Sequence, residues 1–476
     1  MYTSQIYLLK KKMVAKTFDK SFNDPRLDVR GNDFIRSLWV GGTQSIRQLS
    51  RNNAEQKGYY RFLENERTTE DVIIQSMSKR CAGAVKGKAV LIFQDTTEIN
   101  LYNHKNRIKH DESIGLTNAA ENGLGFMLHP SLVVDPVNCF PYGYCDVHIY
   151  NRGLEREADK NRYKQLDIEE KESYKWIASS KAAQSALAEA ALKVIIQDRE
   201  GDIYEQFATI PDERTDLLIR AKSDRNLPEG GKLFSKMASC DVAGTYAIVI
   251  DGDKRKKRQK RTAHLEVRFT EVEIKNSSRT AKDIAPTVKL YCVEAKEKDT
   301  SAKHPICWRL FTTIPVLTLE HALMVIQWYS WRWMIEEVFR ILKKEGFDVE
   351  ASELGCGTSV KKLCLLTLDA IIKLFQMQIA YATDEKDQLP ATLCFDEEQM
   401  ECLEMQCSKL EGKTEKQKNP YPKGSLRYAT WVIARLGGWK GYASQRKPGI
   451  TTLWIGVEKF YNIFTGWQHA KDVYTR

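Results

Sequence analysis

Two stretches of the chain repeat one design, and together they limit its fold more than any other feature. Lys88-Ala-Val-Leu-Ile-Phe-Gln-Asp95-Thr-Thr-Glu98 holds a continuous apolar run from Ala89 to Phe93, and Lys193-Val-Ile-Ile-Gln-Asp198-Arg-Glu-Gly-Asp202 holds a short β-branched run. An apolar run without alternation fits a strand buried on both faces, which needs helices on either side of its sheet. The fold class expected is therefore α/β. Each run ends in an aspartate, Asp95 or Asp198, at the strand end where α/β sheets keep their sites. For either aspartate alone, a helix N-cap or an Asx turn is the plainer account.

A third acid comes from Tyr329-Ser-Trp-Arg332-Trp-Met-Ile-Glu336-Glu-Val-Phe-Arg340-Ile-Leu-Lys343. The segment from about Thr318 to Gly346 reads as one long helix. At about 100° per residue, Tyr329, Arg332, Glu336 and Lys343 fall on one stripe, with Arg340 beside them. Trp331, Met334, Ile335, Val338, Ile341 and Leu342 form the opposite, core-facing side. Glu337 projects about 100° from Glu336, so the periodicity selects Glu336 for the stripe. The plain alternative is a solvated face with an Arg332/Glu336 ion pair. Taken together, Asp95, Asp198 and Glu336 make an all-oxygen, triply negative cluster of the kind that suits Mg²⁺ or Mn²⁺.

A chain of 476 residues is too long for one core, and two to four domains are expected. Its 73 Lys and Arg exceed its 63 Asp and Glu, giving +10 and a pI near 8.9, compatible with a polyanion partner. Eleven scattered cysteines argue against a disulfide framework, and their spacing does not suggest a structural zinc site. No apolar run is read as membrane-spanning and no signal peptide is read at the N-terminus, so a cytoplasmic, nucleoid-associated protein without a membrane partner is expected.

Residues 1 to about 75 look helical, with Phe34, Ile35, Leu38, Trp39, Ile46 and Leu49 at helical spacing around a Gly41-Gly42 break. Basic residues including Arg26, Arg30 and Arg61 are interleaved there, which fits either a DNA-gripping module or a helical cap with a solvated face. Phe126 to Val134 and Tyr144 to Tyr150 are expected as antiparallel neighbours of the first strand, and Leu166 to Leu192 as a helix. The stretch between Asp198 and Glu336 far exceeds a single crossover. Segments 217–222, 246–250, 264–274, 288–294 and 306–314 suggest an inserted antiparallel sheet. Near its tip, Lys254 to Arg261 has seven basic residues out of eight, a solvated hairpin or a phosphate grip. Leu363 to Ala382 reads as a helix closing the sheet. Two C-terminal helices follow, with Trp431, Trp439, Trp454 and Trp467 expected to be exposed for docking, a second copy being one candidate.

The spacing Tyr-(2)-Arg-(3)-Glu-(6)-Lys at 329, 332, 336 and 343, following two strand-end aspartates, resembles the signature of the DDE transposases of the insertion sequence four family. Asp24-Pro-Arg26, Tyr60-Arg-Phe62, Asp95-Thr-Thr97, Lys175-Trp176, Asp198-Arg-Glu200 and Ile433 to Gly438 match as well. The resemblance implies an RNase H-like catalytic core over 76–385 with a β insertion at about 213–316. It also implies an N-terminal domain, 1–75, that binds DNA ends and a helical dimerisation domain, 386–476. Asp95, Asp198 and Glu336 would be the Mg²⁺-binding triad, with Mn²⁺ substituting. Tyr329, Arg332, Arg340 and Lys343 would contact the backbone of the element's end, Trp308 would stack on the cleaved end, and Arg220 would lie at the same DNA hairpin. By strand alternation alone, Trp308 shares a face with Ile306 and Leu310 and fits the core instead. Phosphodiester cleavage needs an activated water and a stabilised leaving oxygen, which two carboxylate-bridged metals supply. The expected partners are double-stranded DNA, at element ends and targets, and a second copy in the paired-end complex. The alternatives are an RNase H-like nuclease that does not join strands and a catalytically silent DNA-binding regulator.

Overall fold

Val90 to Phe93 are at most 1% exposed, as the unbroken apolar run requires. They form β1 (Ala89–Gln94), continued past Asp95 by β2 (Thr97–Asn100). The chain then passes through β3 (Gly115–Leu116), β4 (Leu124–Val134), β5 (Pro141–Tyr150), β6 (Leu192–Gln197) and β7 (Thr215–Arg220). β4 lies antiparallel to β1 and β2 on one edge and to β5 on the other, while β6 is parallel to β1 and β7 parallel to β6. The second and third apolar segments thus pair as expected. The computed structural model describes residues 16–117, 123–153, 166–250, 260–276, 284–298, 305–344, 347–382, 389–442 and 445–474.

The inserted strands are β8 (Gly244–Ile250), β9 (Arg261–Lys275), β10 (Thr287–Glu297) and β11 (Cys307–Thr312). They are antiparallel, but they do not form a separate sheet. β11 pairs with β7, so the described strands make one eleven-stranded sheet, nine of them in the order β2-β4-β1-β6-β7-β11-β10-β9-β8, with β3 and β5 also paired to β4. The 217–222 segment, expected in the insert, is the core strand β7, because its apolar residues Leu217, Leu218 and Ile219 are fully buried beside β6. Lys254 to Gln259 of the basic run lie outside the described residues. At the run's end, Arg261 reaches back to Glu297.

Helices cover the sheet: α1 (Pro25–Gly41), α2 (Asn53–Glu64), α3 (Glu70–Val85), α4 (Tyr174–Ala186), α5 (Tyr204–Thr209), α6 (Leu233–Ser239), α7 (Leu319–Trp331), α8 (Trp333–Lys343), α9 (Gly357–Ala382), α10 (Glu397–Leu410), α11 (Leu426–Leu436) and α12 (Ile450–Tyr474). α1 starts where the Asp24 side chain accepts from the Arg26 amide and stops at Gly42, whose φ of 51° is left-handed. A Cβ at Gly42 would stand 2.0 Å from the Trp454 ring, so glycine serves both the turn and the close approach of α12. Trp39 packs on Phe395 and Tyr461, joining the N-terminal helices to the C-terminal ones in one core.

Five expectations need correction. The 318–346 helix is broken at Arg332, where the Arg332 amide bonds Tyr329 O (3.2 Å) and the Ile335 amide bonds Arg332 O (3.0 Å), tight turns in place of i→i+4 bonds. The 166–192 helix shrinks to α4 because Leu192 already belongs to β6. α10 was not anticipated. Trp431 is buried and Trp439, Trp454 and Trp467 are half-buried, all packed within this chain, so most of their aromatic surface is already covered. Finally, α9 is long and apolar enough to cross a membrane, but Leu363, Leu366 and Ile371 are fully buried in the protein core.

Candidate active site

The parallel register Gln94↔Gln197 brings the ends of β1 and β6 level, so Asp95 and Asp198 follow side by side. A row of fully buried polar side chains fixes that register. Gln197 Nε2 donates to Gln94 Oε1 (2.6 Å) and Ser180 Oγ (3.2 Å), Gln94 Nε2 donates to Ser131 Oγ (2.9 Å), and Gln206 Nε2 donates to Gln197 Oε1. A slip by one residue would strand these amides without partners and turn every side chain over. The sequence reading missed this row, although a Gln precedes the Asp in both strands.

The broken helix closes the site. Tyr329, at the end of α7, brings its hydroxyl to Asp198 Oδ1 (3.4 Å). Arg332, at the break, donates from Nη1 to Asp95 Oδ2 (2.6 Å) and from Nη2 to Glu336 Oε1 (2.6 Å). Arg332 thus joins Asp95 to Glu336, and Asp198 is linked to the same helical segment through Tyr329. Lys343 Nζ bonds Glu98 O (3.1 Å) at the rim. Arg340, beside the stripe, pairs with Glu337 one turn back (2.8 Å). Trp308 is half-buried on β11, packed against the core, with its ring edge-on to Tyr329 (centroids 5.6 Å apart). Arg220, opposite Leu310 in the β7–β11 pairing, faces the Tyr329 hydroxyl. Arg26, Arg30 and Arg61 lie exposed on α1 and α2.

Burial pushes the Asp95 carboxyl up to about 6; the Arg332 charge opposes this, and Glu336 and Asp198 add to it. Burial acts against the Arg332 charge too, but Asp95, Tyr329 and Glu336 outweigh it and raise its pKa. Burial also raises the Tyr329 hydroxyl. Thr96 orients Asp95 through its amide (2.8 Å), and the Thr96 hydroxyl is held by the buried His129 (Nδ1, 2.8 Å).

A cavity of about 480 Å³ opens beside Asp95 and Asp198, and Arg152, Glu172, Lys175 and Trp176 line its far wall. There Glu172 accepts from Arg152 (2.6 Å), Tyr150 (2.8 Å) and Lys175 (3.3 Å), which together overcome its burial and hold it down at about 2. The oxygen donors of Asp95, Asp198 and Glu336 suit a hard cation, but their arrangement does not fit one. Among the described residues, no group of three or more His, Cys, Asp or Glu stands close enough together to hold a metal ion. Arg332 engages one oxygen of Asp95 and one of Glu336, where such an ion would otherwise be placed.

Residues 12–68 match the family model for transposase DNA-binding. The match falls on the basic helical segment, and it favours a DNA grip over a structural cap there. The piggyBac transposase synaptic complex with hairpin DNA is a similar solved structure, at 10% identity over 79% of this chain and 75% of that chain, with a TM-score of 0.34. A likeness of that size carries no argument about fold or chemistry.

Proposed function

We propose that the chain is a DNA transposase of the insertion sequence four type, resembling the transposon five transposase, which cuts an element from DNA and joins it elsewhere. The observation that carries this is the meeting of Asp95 and Asp198, at adjacent parallel strand ends, with Glu336 from the broken helix. The strand order β5-β4-β1-β6-β7, three antiparallel strands followed by two parallel to β1, supports an RNase H-like core. The DNA-binding match at 12–68 supplies the grip on the substrate.

In this reading Asp95, Asp198 and Glu336 hold Mg²⁺, or Mn²⁺ in its place, during phosphodiester cleavage and strand transfer. Tyr329, Arg332 and Lys343 hold the backbone of the element's end, and Arg340 extends that grip. Trp308 and Arg220 receive the end as it turns back into a hairpin. The protein works as a dimer on two paired ends, in the cytoplasm of a bacterial host.

A duplex bearing the inverted repeats that flank the gene tests this, first for nicking and then, with a pre-cut 3′ end, for joining. Nicking without joining would identify a nuclease, and binding with neither would identify a silent regulator. Asp95→Ala, Asp198→Ala and Glu336→Ala should each abolish cleavage while end binding persists, and Glu337→Ala should retain it. Wild-type cleavage by any of the three removes that residue from the triad.

A further inference from the structure

We infer that Arg332 is a lock: its guanidinium holds Asp95 and Glu336 in place of a divalent cation, and a DNA phosphate must draw it away before metal can bind. The inference rests on the proposed triad and concerns the order in which that site is filled.

Asp95 Oδ2 and Glu336 Oε1 each accept a 2.6 Å bond from a different nitrogen of one guanidinium. An oxygen engaged in that way is not available to a metal, and no three acids are gathered to hold one among the described residues. Arg332 keeps the helical pairing with Glu336 one turn on. Buried to 8% exposure where α7 passes into α8, it also reaches the end of β1, so one side chain holds both acids.

The lock also has an opening side. Arg332 Nε is buried and has no acceptor. A phosphate group offers several acceptor oxygens, and guanidinium binds it in a two-pronged fashion at least as well as it binds a carboxylate. A backbone phosphate arriving beside Tyr329 and Lys343 would satisfy that nitrogen and compete for the other two. Both carboxylates would then face the site with their negative charge uncompensated. By linkage, whatever DNA adds to metal affinity, metal must add to DNA affinity.

The test is Mn²⁺ binding to the full chain, followed by electron paramagnetic resonance without DNA. Arg332→Ala should bind Mn²⁺ about tenfold or more tightly than the wild type, within the usual range of such couplings. Adding the flanking-repeat duplex should raise wild-type affinity by a similar factor and leave the variant nearly unchanged. Equal affinities for wild type and variant without DNA would overturn the lock. Should Arg332→Ala fail to fold, Arg332→Lys, which reaches only one carboxylate, should show a smaller gain, and no gain overturns the inference equally. Asp95→Asn in the Arg332→Ala background separates the two readings: retained Mn²⁺ binding there would refute the triad assignment itself, whereas its loss leaves the lock to be judged on the affinities.

Discussion

A single methyl group at Gly201 should damage the site more than its size suggests. Gly201 lies in the turn just after Asp198, and a Cβ there would stand 2.1 Å from Gln197 Oε1, 2.9 Å from its Cβ and 3.0 Å from its Cδ. The amide end of a glutamine can usually swing aside. Gln197 cannot, because it is fully buried and bonded to Gln94, Ser180 and Gln206. Forcing a methyl into a packed site costs about 1–3 kcal/mol, and each buried amide left without a partner adds about 1–3 kcal/mol. Gly201→Ala should therefore cost about 3–5 kcal/mol, with cleavage falling further because Asp198 rides on the displaced turn. Gly83→Ala is the contrast, since α3 leaves open space there and loses a flexible residue, a gain of about 0.5–1 kcal/mol. Urea midpoints followed by tryptophan fluorescence, compared at constant slope, measure both. In the Gln197→Ala background the added methyl should cost clearly less, because the contacts with Oε1 and Cδ are gone and only the 2.9 Å approach to the Cβ at position 197 remains. A Gly201→Ala midpoint indistinguishable from wild type, or strict additivity of the two substitutions, would refute the reasoning.

Three further outcomes are expected. Cleavage should fall as pH drops through about 6, where Asp95 takes up its proton. Its folded-state value lies above the ordinary carboxylate range, so protonation there favours the fold, and the activity loss should come without a lower melting temperature from this group. Trp308→Ala should cost about 2–3 kcal/mol, its edge-on contact with Tyr329 plus part of the area of a half-buried ring, less than a fully buried tryptophan, yet cut hairpin yield by about ten- to a hundredfold on a gel that resolves nicked from hairpin ends. A normal hairpin yield would remove it from the DNA path. Replacing Arg26, Arg30 and Arg61 together with Ala should weaken end binding and flatten its salt dependence by about 0.9 for each DNA phosphate that is no longer neutralised; an unchanged slope would make those helices a cap after all.

The strands were legible because an unbroken apolar run has few ways to fold, and the choice of Glu336 over Glu337 followed from helical period alone. What escaped notice was cooperative. Gln94 and Gln197 read as ordinary polar residues until the sheet sets them side by side. A helical wheel put Arg332 on one stripe with Glu336, and the two are paired, but it holds no information about a strand end and so could not show that the same guanidinium reaches Asp95. Arg340, expected beside the stripe, pairs with Glu337, a partner that the wheel did not single out. Counting tryptophans near the C-terminus gave no indication of what covers them, and Trp454 turns out to meet Gly42 from the other end of the chain. The inserted strands were found individually, but their fusion with the core depends on β11 pairing with β7, a meeting of distant segments that local pattern does not encode.

The packing of Trp39 on Phe395 and Tyr461 also matters during synthesis. The segment matching the DNA-binding family leaves the ribosome well before Phe395 and Tyr461, which cover its tryptophan. At roughly 5–20 residues per second, the nascent chain spends many seconds with that apolar face open to water. A transcript cut short before Phe395 would yield a protein that keeps its basic helices but lacks their cover, prone to clumping or to capture by chaperones. Completion of the chain is thus a condition for a well-packed DNA-binding end, and a shortened gene product could not be relied on to compete quietly for the same DNA.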